Sequence, residues 1–410
     1  MRNTQLILLG GNKLHRGFDE WKSRNGIEHI TVIDWNENPD YKGDEHIRLD
    51  IKDINGVLKI IEQKGKDRIN MCYTSADIAV LTQVAVHKYL GLAYPDNNAI
   101  EKTINKSLCT QAWSKSGLLN RYSCKYEKID DIDIPSDIEN IIIKPNISSG
   151  SRGITIIRNR KWTKERLEKA FIRAKNYSRD SAVILEEFVI GIEYTVEMLG
   201  DNEGNVAVYG ISKKYYTKYV SDNRIATKLH YNPKDVSDVL LDSIAAVAIE
   251  CYRSVGLKCS LGHLELIVAD NGKISPLEMG ARSSGYIATH CIDAINQDSL
   301  LMSYSNILRG EKCRNGIVFE RNKSAMYFFY DIRPGKSIRN VNIMDYSIEG
   351  ISSLQYDRSK IKADVQYEPI DEDAERFGYE ILVGDRDKLA IENIEDMEQR
   401  FINDFMEKEG

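Results

Sequence analysis

Residues His263 to Gly285, HLELIVADNGKISPLEMGARSSG, hold two apolar runs, Leu264–Ala269 and Ile274–Met279, around Asp270-Asn271-Gly272-Lys273. Asn-Gly between such runs predicts a two-residue type I′ hairpin, whose central residues both need positive φ. With Asn271 and Gly272 at its centre, Asp270 faces Lys273, and counting back in step brings Glu265 opposite Glu278. Cβ atoms so paired lie roughly 4.5–5.5 Å apart. Two carboxylates at that separation repel, so either one takes up a proton or a cation sits between them. Mg²⁺ suits such a place, because it uses one or two carboxylates together with substrate phosphate oxygens. Arg282 shares the parity of Glu278 and would face the same side. The constellation points to metal plus phosphate, although an isolated pair taken alone is more often a hairpin whose acids face water. Pro276 predicts an edge position or a break in the second strand.

Around this hairpin, 410 residues leave room for two or three domains, and 42% hydrophobic with 29% charged residues is an ordinary globular balance. The net charge of −6 comes without a long basic stripe, which argues against nucleic acid as a partner. No apolar run of about 18 residues and no signal-peptide pattern occurs, so a cytoplasmic protein without a membrane partner is expected. The 7 cysteines are scattered and lack a CxxC, so they read as reduced thiols.

Along the chain, QLILLGG (5–11), HITVIDWNENP (29–39) and INMCYTSAD (69–77) read as strands, with a helical stretch from Ile78 to Leu90. That alternation predicts an α/β domain built on a parallel sheet. Gly10, Gly11 and Asp34 invite a dinucleotide reading, but the G-x-G-x-x-G spacing is absent and a glycine-tightened turn is the better account. Asn105–Leu119 reads as a helix, Ile138–Pro145 as a strand, Asn146–Arg152 as a Gly/Ser loop and Gly153–Asn159 as a return strand. Such a loop can turn N–H groups toward an anion, with Lys144 and Arg152 at its two sides. Ala182–Leu199 reads as one long strand interrupted at Gly191, with Glu193, Thr195 and Glu197 on one side. Asn205–Lys214 is the next strand, followed by a loop to about His230 and a helix over Val236–Val255. Beyond Gly316 come the strands SAMYFFYDI and FGYEILVGD and a closing helix, LAIENIEDMEQRFINDFMEK.

Strand, lysine, Gly/Ser loop, strand, EEFVIGIE, two acids on a hairpin and then arginine is an order that resembles the ATP-grasp superfamily. The likeness is to the branch with biotin carboxylase, the carbamoyl phosphate synthase synthetase units, the purine-pathway enzymes and the L-amino-acid ligases. It implies a Rossmann-like N-terminal α/β domain (1–96), then an ATP-grasp core (97–312) with a mobile lid at about 118–184 and a central antiparallel sheet. A small C-terminal α+β segment (313–410) would pack on that core. The resemblance also implies roles. Lys106 and Lys144 look like the lysines that touch ATP phosphates, and Ser148, Ser149, Gly150, Ser151 and Gly153 like the flap over them. Glu186, Glu187 and Val189 fall where adenine is read, largely through backbone groups, and Glu193 where the ribose is held. Glu265 and Glu278 resemble the Mg²⁺ ligands, with Mn²⁺ an alternative metal, and Arg282 the arginine that steadies the phosphorylated intermediate.

The common ending Glu-x-Asn-x-Arg carries Gly280 in place of Asn, which leaves the number of metal ions open. The Gln-Val-Glu-His run and a Met-Lys-Met carrier motif are absent, which argues against biotin. Ser283, Ser284 and Gly285 could bind a substrate carboxylate, or cap a helix. Lys213, Lys214 and Lys228 are candidates for the substrate or triphosphate pocket, and His263 and His290 for its neighbourhood. The expected function is an ATP-dependent carboxylate–amine ligase of small molecules working through an acyl phosphate, with a homodimer left open. Alternatives are a carboxylase that phosphorylates bicarbonate, a catalytically silent nucleotide-binding module and, least supported, a nicotinamide oxidoreductase.

Overall fold

The computed structural model describes residues 5–11, 18–24, 26–217, 219, 225–335, 349–362, 365–370 and 375–395. The first sheet is parallel, in the order β3-β2-β1-β4, from Gln5–Leu9 (β1), His29–Asp34 (β2), Glu45–Arg48 (β3) and Ile69–Tyr73 (β4). Leu6, Ile7, Leu8 and Leu9 on β1 are all buried, as a strand covered on both faces requires. Helix Ile54–Lys64, capped by the Asp53 carboxylate on the Gly56 N–H, and helix Val80–Leu90 pack beside this sheet. The glycine turn after β1 is structural, because Asp34 Oδ2 accepts the Gly11 N–H at 2.7 Å.

The second sheet, order β5-β8-β6-β7, joins Ser123–Tyr126 (β5), Ile141–Pro145 (β6), Thr155–Ile157 (β7) and Val183–Glu187 (β8). Helix Lys164–Tyr177 closes its apolar face through Ala170, Phe171 and Ala174.

The long strand expected over Ala182–Leu199 is two strands in two sheets. β8 ends at Glu187, and Gly191–Gly200 (β9) begins the large sheet. Gly191 is needed there, since a Cβ would lie 2.3 Å from the Val268 carbonyl oxygen of the paired strand.

Among the described residues the large sheet has nine strands. They are β9, Val206–Tyr216 (β10), Ala226–Tyr231 (β11), Ser260–Ala269 (β12), Ile274–Gly280 (β13), Gly316–Ile317 (β14), Lys323–Phe329 (β15), Ile351–Asp357 (β16) and Tyr379–Asp385 (β17). The order is β13-β12-β9-β10-β11-β15-β17-β16, with β14 beside β10, and every pairing except β10 with β14 is antiparallel. β11 corrects the expected loop to His230: six consecutive buried residues form a strand between β10 and β15. The C-terminal strands extend this sheet by hydrogen bonding. Helix Asp238–Ser254, capped by Ser237, packs on it through Leu241, Ile244 and Ala248. The closing helix is described only over 391–395; the rest of that expectation lies outside the described residues. All 7 cysteines are free thiols, and among the described residues no helix is long and apolar enough to cross a membrane.

Candidate active site

The opening hairpin forms, by a different turn. Gly272 takes φ 80° while Asn271 is not among the positive-φ residues. The Gly272 N–H donates to Ala269 O at 2.8 Å and the Ala269 N–H to Lys273 O at 2.9 Å, a three-residue loop closed by a glycine bulge. That loop pairs Val268 with Ile274 and Leu266 with Pro276, one residue out of step with the two-residue turn. A bulge beyond Pro276 absorbs Leu277 and restores the step, so Glu265 does face Glu278. β13 is the edge strand and its irregularity sits beside Pro276, as proline in a strand requires.

The two acids are neutralised in a way the sequence reading did not weigh. Lys214 Nζ lies 2.9 Å from Glu265 and 2.6 Å from Glu193, while Lys106 Nζ lies 3.2 Å from Glu278. His263 adds a third contact: its Nε2 is 3.4 Å from Glu265 and its Nδ1 is 2.7 Å from the buried Glu197. Burial alone would raise the Glu265 pKa, but Lys214 and then His263 hold it well below the carboxylate range. Burial alone would lower His263, but Glu197 and then Glu265 raise it to about 9. Glu193, Thr195 and Glu197 do share one face of β9, where they meet Lys214, Ser212 and His263.

The small sheet stands over this face. Lys106, the first residue of helix Lys106–Lys115, also donates to Ser148 O at 3.0 Å and so ties the Gly/Ser loop to Glu278. Gly150 and Ser151 in that loop both take positive φ. Behind the loop, Glu186 on β8 is 1% exposed and bound by Lys144 at 2.6 Å and Arg121 at 3.1 Å. Burial would raise Glu186, yet Arg121 and Lys144 bring it to about 2. Arg121 also reaches Ser275 Oγ and Pro276 O on β13, which pins the small sheet to the carboxylate hairpin. From the opposite wall Arg282 binds Asp77 through two hydrogen bonds, Nε at 2.6 Å and Nη2 at 2.9 Å. The cleft measures about 860 Å³, lined by Lys106, Lys144, Glu186, Glu265, Glu278 and Arg282 among others.

Residues 138–290 match the family model of the ATP-grasp domain. The chain carries an ATP-grasp domain. A D-alanine–D-alanine ligase of Desulforamulus reducens is 29% identical over 153 residues, 35% of this chain. The matched stretches span about half the length of the curated relatives, 43% and 57%. The L-amino acid ligase of Bacillus licheniformis superposes with a TM-score of 0.72 at 15% identity, covering 98% of both chains. The biotin carboxylase domain of Hydrogenobacter thermophilus 2-oxoglutarate carboxylase, solved as a dimer with MgADP and bicarbonate, gives 0.68 at 14%, covering 96% of this chain and 89% of that one. At these identities the structural likeness is one of fold.

Lys106, which precedes the matched stretch, and Lys144, Ser148, Ser149, Gly150, Ser151, Glu186, Glu187, Val189, Glu193, His263, Glu265, Glu278, Arg282, Ser284 and Gly285 within it all line the one cleft. Gly153 packs instead against Pro145 and Tyr177, where a Cβ would meet both at 3.0 Å. Lys213 turns to the opposite face of β10, paired with Asp235, because adjacent strand residues alternate; Lys214 is the lysine in the cleft. Lys228 lies over the Phe328 ring. Ser283 is buried against the Tyr73 hydroxyl at 2.7 Å, and the Ser284 N–H donates to Glu197. The N–H groups of Glu187 and Phe188 go to the Tyr122 and Asn140 carbonyls. Asp77, Arg121 and Glu197 were missed as site residues. Only Glu197 carried a sequence signal, its alternation with Glu193.

Proposed function

We propose that the protein is an ATP-dependent carboxylate–amine ligase that joins a small acid to an amine through an acyl phosphate, releasing ADP and phosphate. The observation that carries this reading is the facing Glu265–Glu278 pair, set with Lys106, Lys144, Lys214 and Arg282 in one cleft under a Gly/Ser loop. The donor set fits a magnesium nucleotide. Among the described residues no group of three or more His, Cys, Asp or Glu could hold a metal, so the two glutamates need phosphate oxygens to complete a site. Mg²⁺ bound there would neutralise phosphate charge as a Lewis acid, and Mn²⁺ accepts the same oxygen ligands.

The residues then divide the work. Lys144, with its ammonium set by Glu186, and Lys106, set between Ser148 O and Glu278, bind phosphate oxygens. Glu193 takes the ribose hydroxyls, and the run Glu186–Val189 borders the base. Arg282, oriented by Asp77, stabilises charge on the phosphoryl group in transfer. The acid's carboxylate attacks the terminal phosphorus and ADP leaves. The amine then displaces phosphate to form the amide, while the loop over Ser148–Arg152 keeps water from the labile acyl phosphate.

The test is ADP release by the purified chain with ATP, Mg²⁺ and a panel of acids and amines. Release that needs both an acid and an amine supports a ligase. Release that needs bicarbonate and no organic acid would make it a carboxylase, and none with any panel would leave a nucleotide-binding module.

A further inference from the structure

The cleft has an apolar wall toward each end and charged groups between them, and Asp357, Lys360 and Arg376 line it beyond the second wall. One end lies under the small sheet, where Ile142, Ile156, Ile267 and Leu277 line it; the nucleotide reading uses this end for the base. The other lies across the large sheet, where Leu229 on β11 pairs with Tyr327 on β15, and where Tyr327 and Phe329 line the cleft. Four strand steps separate the ends, from β12 through β9, β10 and β11 to β15, which is roughly 19 Å at about 4.8 Å per step. A single row shows the change in character. Ile267 pairs with Glu193, Glu193 binds Lys214, Lys214 pairs with Leu229 and Leu229 with Tyr327.

The nucleotide reading assigns no role to the wall at this second end. The Tyr327 and Phe329 rings have centroids 4.3 Å apart, and each residue is 7% exposed, packed in the core while lining the cleft. The Arg376 guanidinium lies 4.3 Å from the Phe329 centroid and closes the rim by a cation–π contact. An aromatic or branched group brought here would remove apolar surface from water and stack on the rings.

We infer that this end is the specificity pocket, and that it takes an aromatic or large branched apolar side chain of one of the two compounds joined. The inference rests on the ligase reading, and names the class of substrate that reading leaves open.

The test compares L-phenylalanine and L-leucine with L-alanine and L-glutamate as one member of the pair, reading ADP release with ATP and Mg²⁺. The bulky apolar members are expected to give at least about tenfold higher kcat/KM. Phe329→Ala should collapse that preference with the KM for ATP unchanged. Phe329→Leu, which keeps an apolar wall and guards against a folding defect, should restore most of it. Turnover that favours alanine or glutamate, or a ranking unchanged in Phe329→Ala, overturns this inference and leaves the ligase reading standing. Silence with every pair overturns the ligase reading. Calorimetry with ADP and Mg²⁺ present then decides the pocket: L-phenylalanine heat that Phe329→Ala abolishes supports it, and no such heat overturns it as well.

Discussion

Arg282 and Asp77 are 205 positions apart and meet in a two-point ion pair, Nε to Oδ1 at 2.6 Å and Nη2 to Oδ2 at 2.9 Å. One residue follows the carboxylate hairpin and the other opens the helical stretch after β4, so the pair joins the first sheet to the cleft. The Arg282 side chain is 15% exposed and that of Asp77 18%, which leaves little water to take over if either is lost.

Asp77→Asn should keep the volume and lose the charge that orients the guanidinium. A displacement of about 1 Å at a reacting centre can cost on the order of 100-fold in rate. The expected result is therefore a kcat lower by about one to two orders of magnitude with the KM for ATP little changed. Steady-state kinetics on both variables check it; an equal rise in both KM values with kcat intact would show a binding role instead.

Glu278→Gln removes one of the two facing carboxylates while Lys106 keeps a polar neighbour. On the proposed ligase reading, turnover should fall by about 100-fold or more, since a metal and phosphate bound there would lose a charged ligand. Circular dichroism should be unchanged. Raising Mg²⁺ should recover part of the activity, and full activity at ordinary Mg²⁺ would remove Glu278 from the metal's shell.

Gly191→Ala should damage the structure before the chemistry. Its new Cβ would stand 2.3 Å from Val268 O and 2.8 Å from Ala269 Cα, both backbone atoms that cannot swing away. Overpacking of this kind costs about 1–3 kcal/mol. A lower thermal midpoint is expected, with hydrogen exchange accelerated where β9 pairs with β12. A midpoint equal to that of the parent protein would show that the strands can part there without cost.

His87 makes the fold acid-sensitive. It is fully buried beside the Cys72 backbone, and burial lowers its pKa from the ordinary 6.5 to about 4. The unfolded chain therefore binds a proton that the folded chain refuses, and stability falls as pH drops from about 6.5 toward 4. Between pH 7 and 5 this one group is expected to cost about 2 kcal/mol. Denaturant midpoints at the two pH values should lie closer together in His87→Gln. His230, lowered by burial to about 3, keeps part of the slope in that variant.

How much of this was legible in the sequence depends on the range over which each feature is decided. Strands β1, β2 and β4, the Gly/Ser loop and the facing of Glu265 with Glu278 follow from local alternation and turn residues. Even there the agreement came from two opposing departures: a loop one residue longer than the type I′ turn, and a bulge at Leu277 that took the extra residue back. β11 was missed because its neighbours are aromatic and polar in sequence, and its burial exists only between β10 and β15.

What the chain determined by itself is a set of side chains with the right charges in the right order, since periodicity and spacing act over a few residues. Which lysine enters the cleft, which acid holds the arginine and where an apolar substrate group can sit were decided by tertiary structure. Lys213 and Lys214 are indistinguishable until the pleat of β10 sends them to opposite faces. Asp77 meets Arg282 only after the first sheet closes on the large one, and Arg121 meets Glu186 only once β5 pairs with β8, because contacts at long sequence separation are set by packing and pairing and leave no pattern in the neighbouring residues.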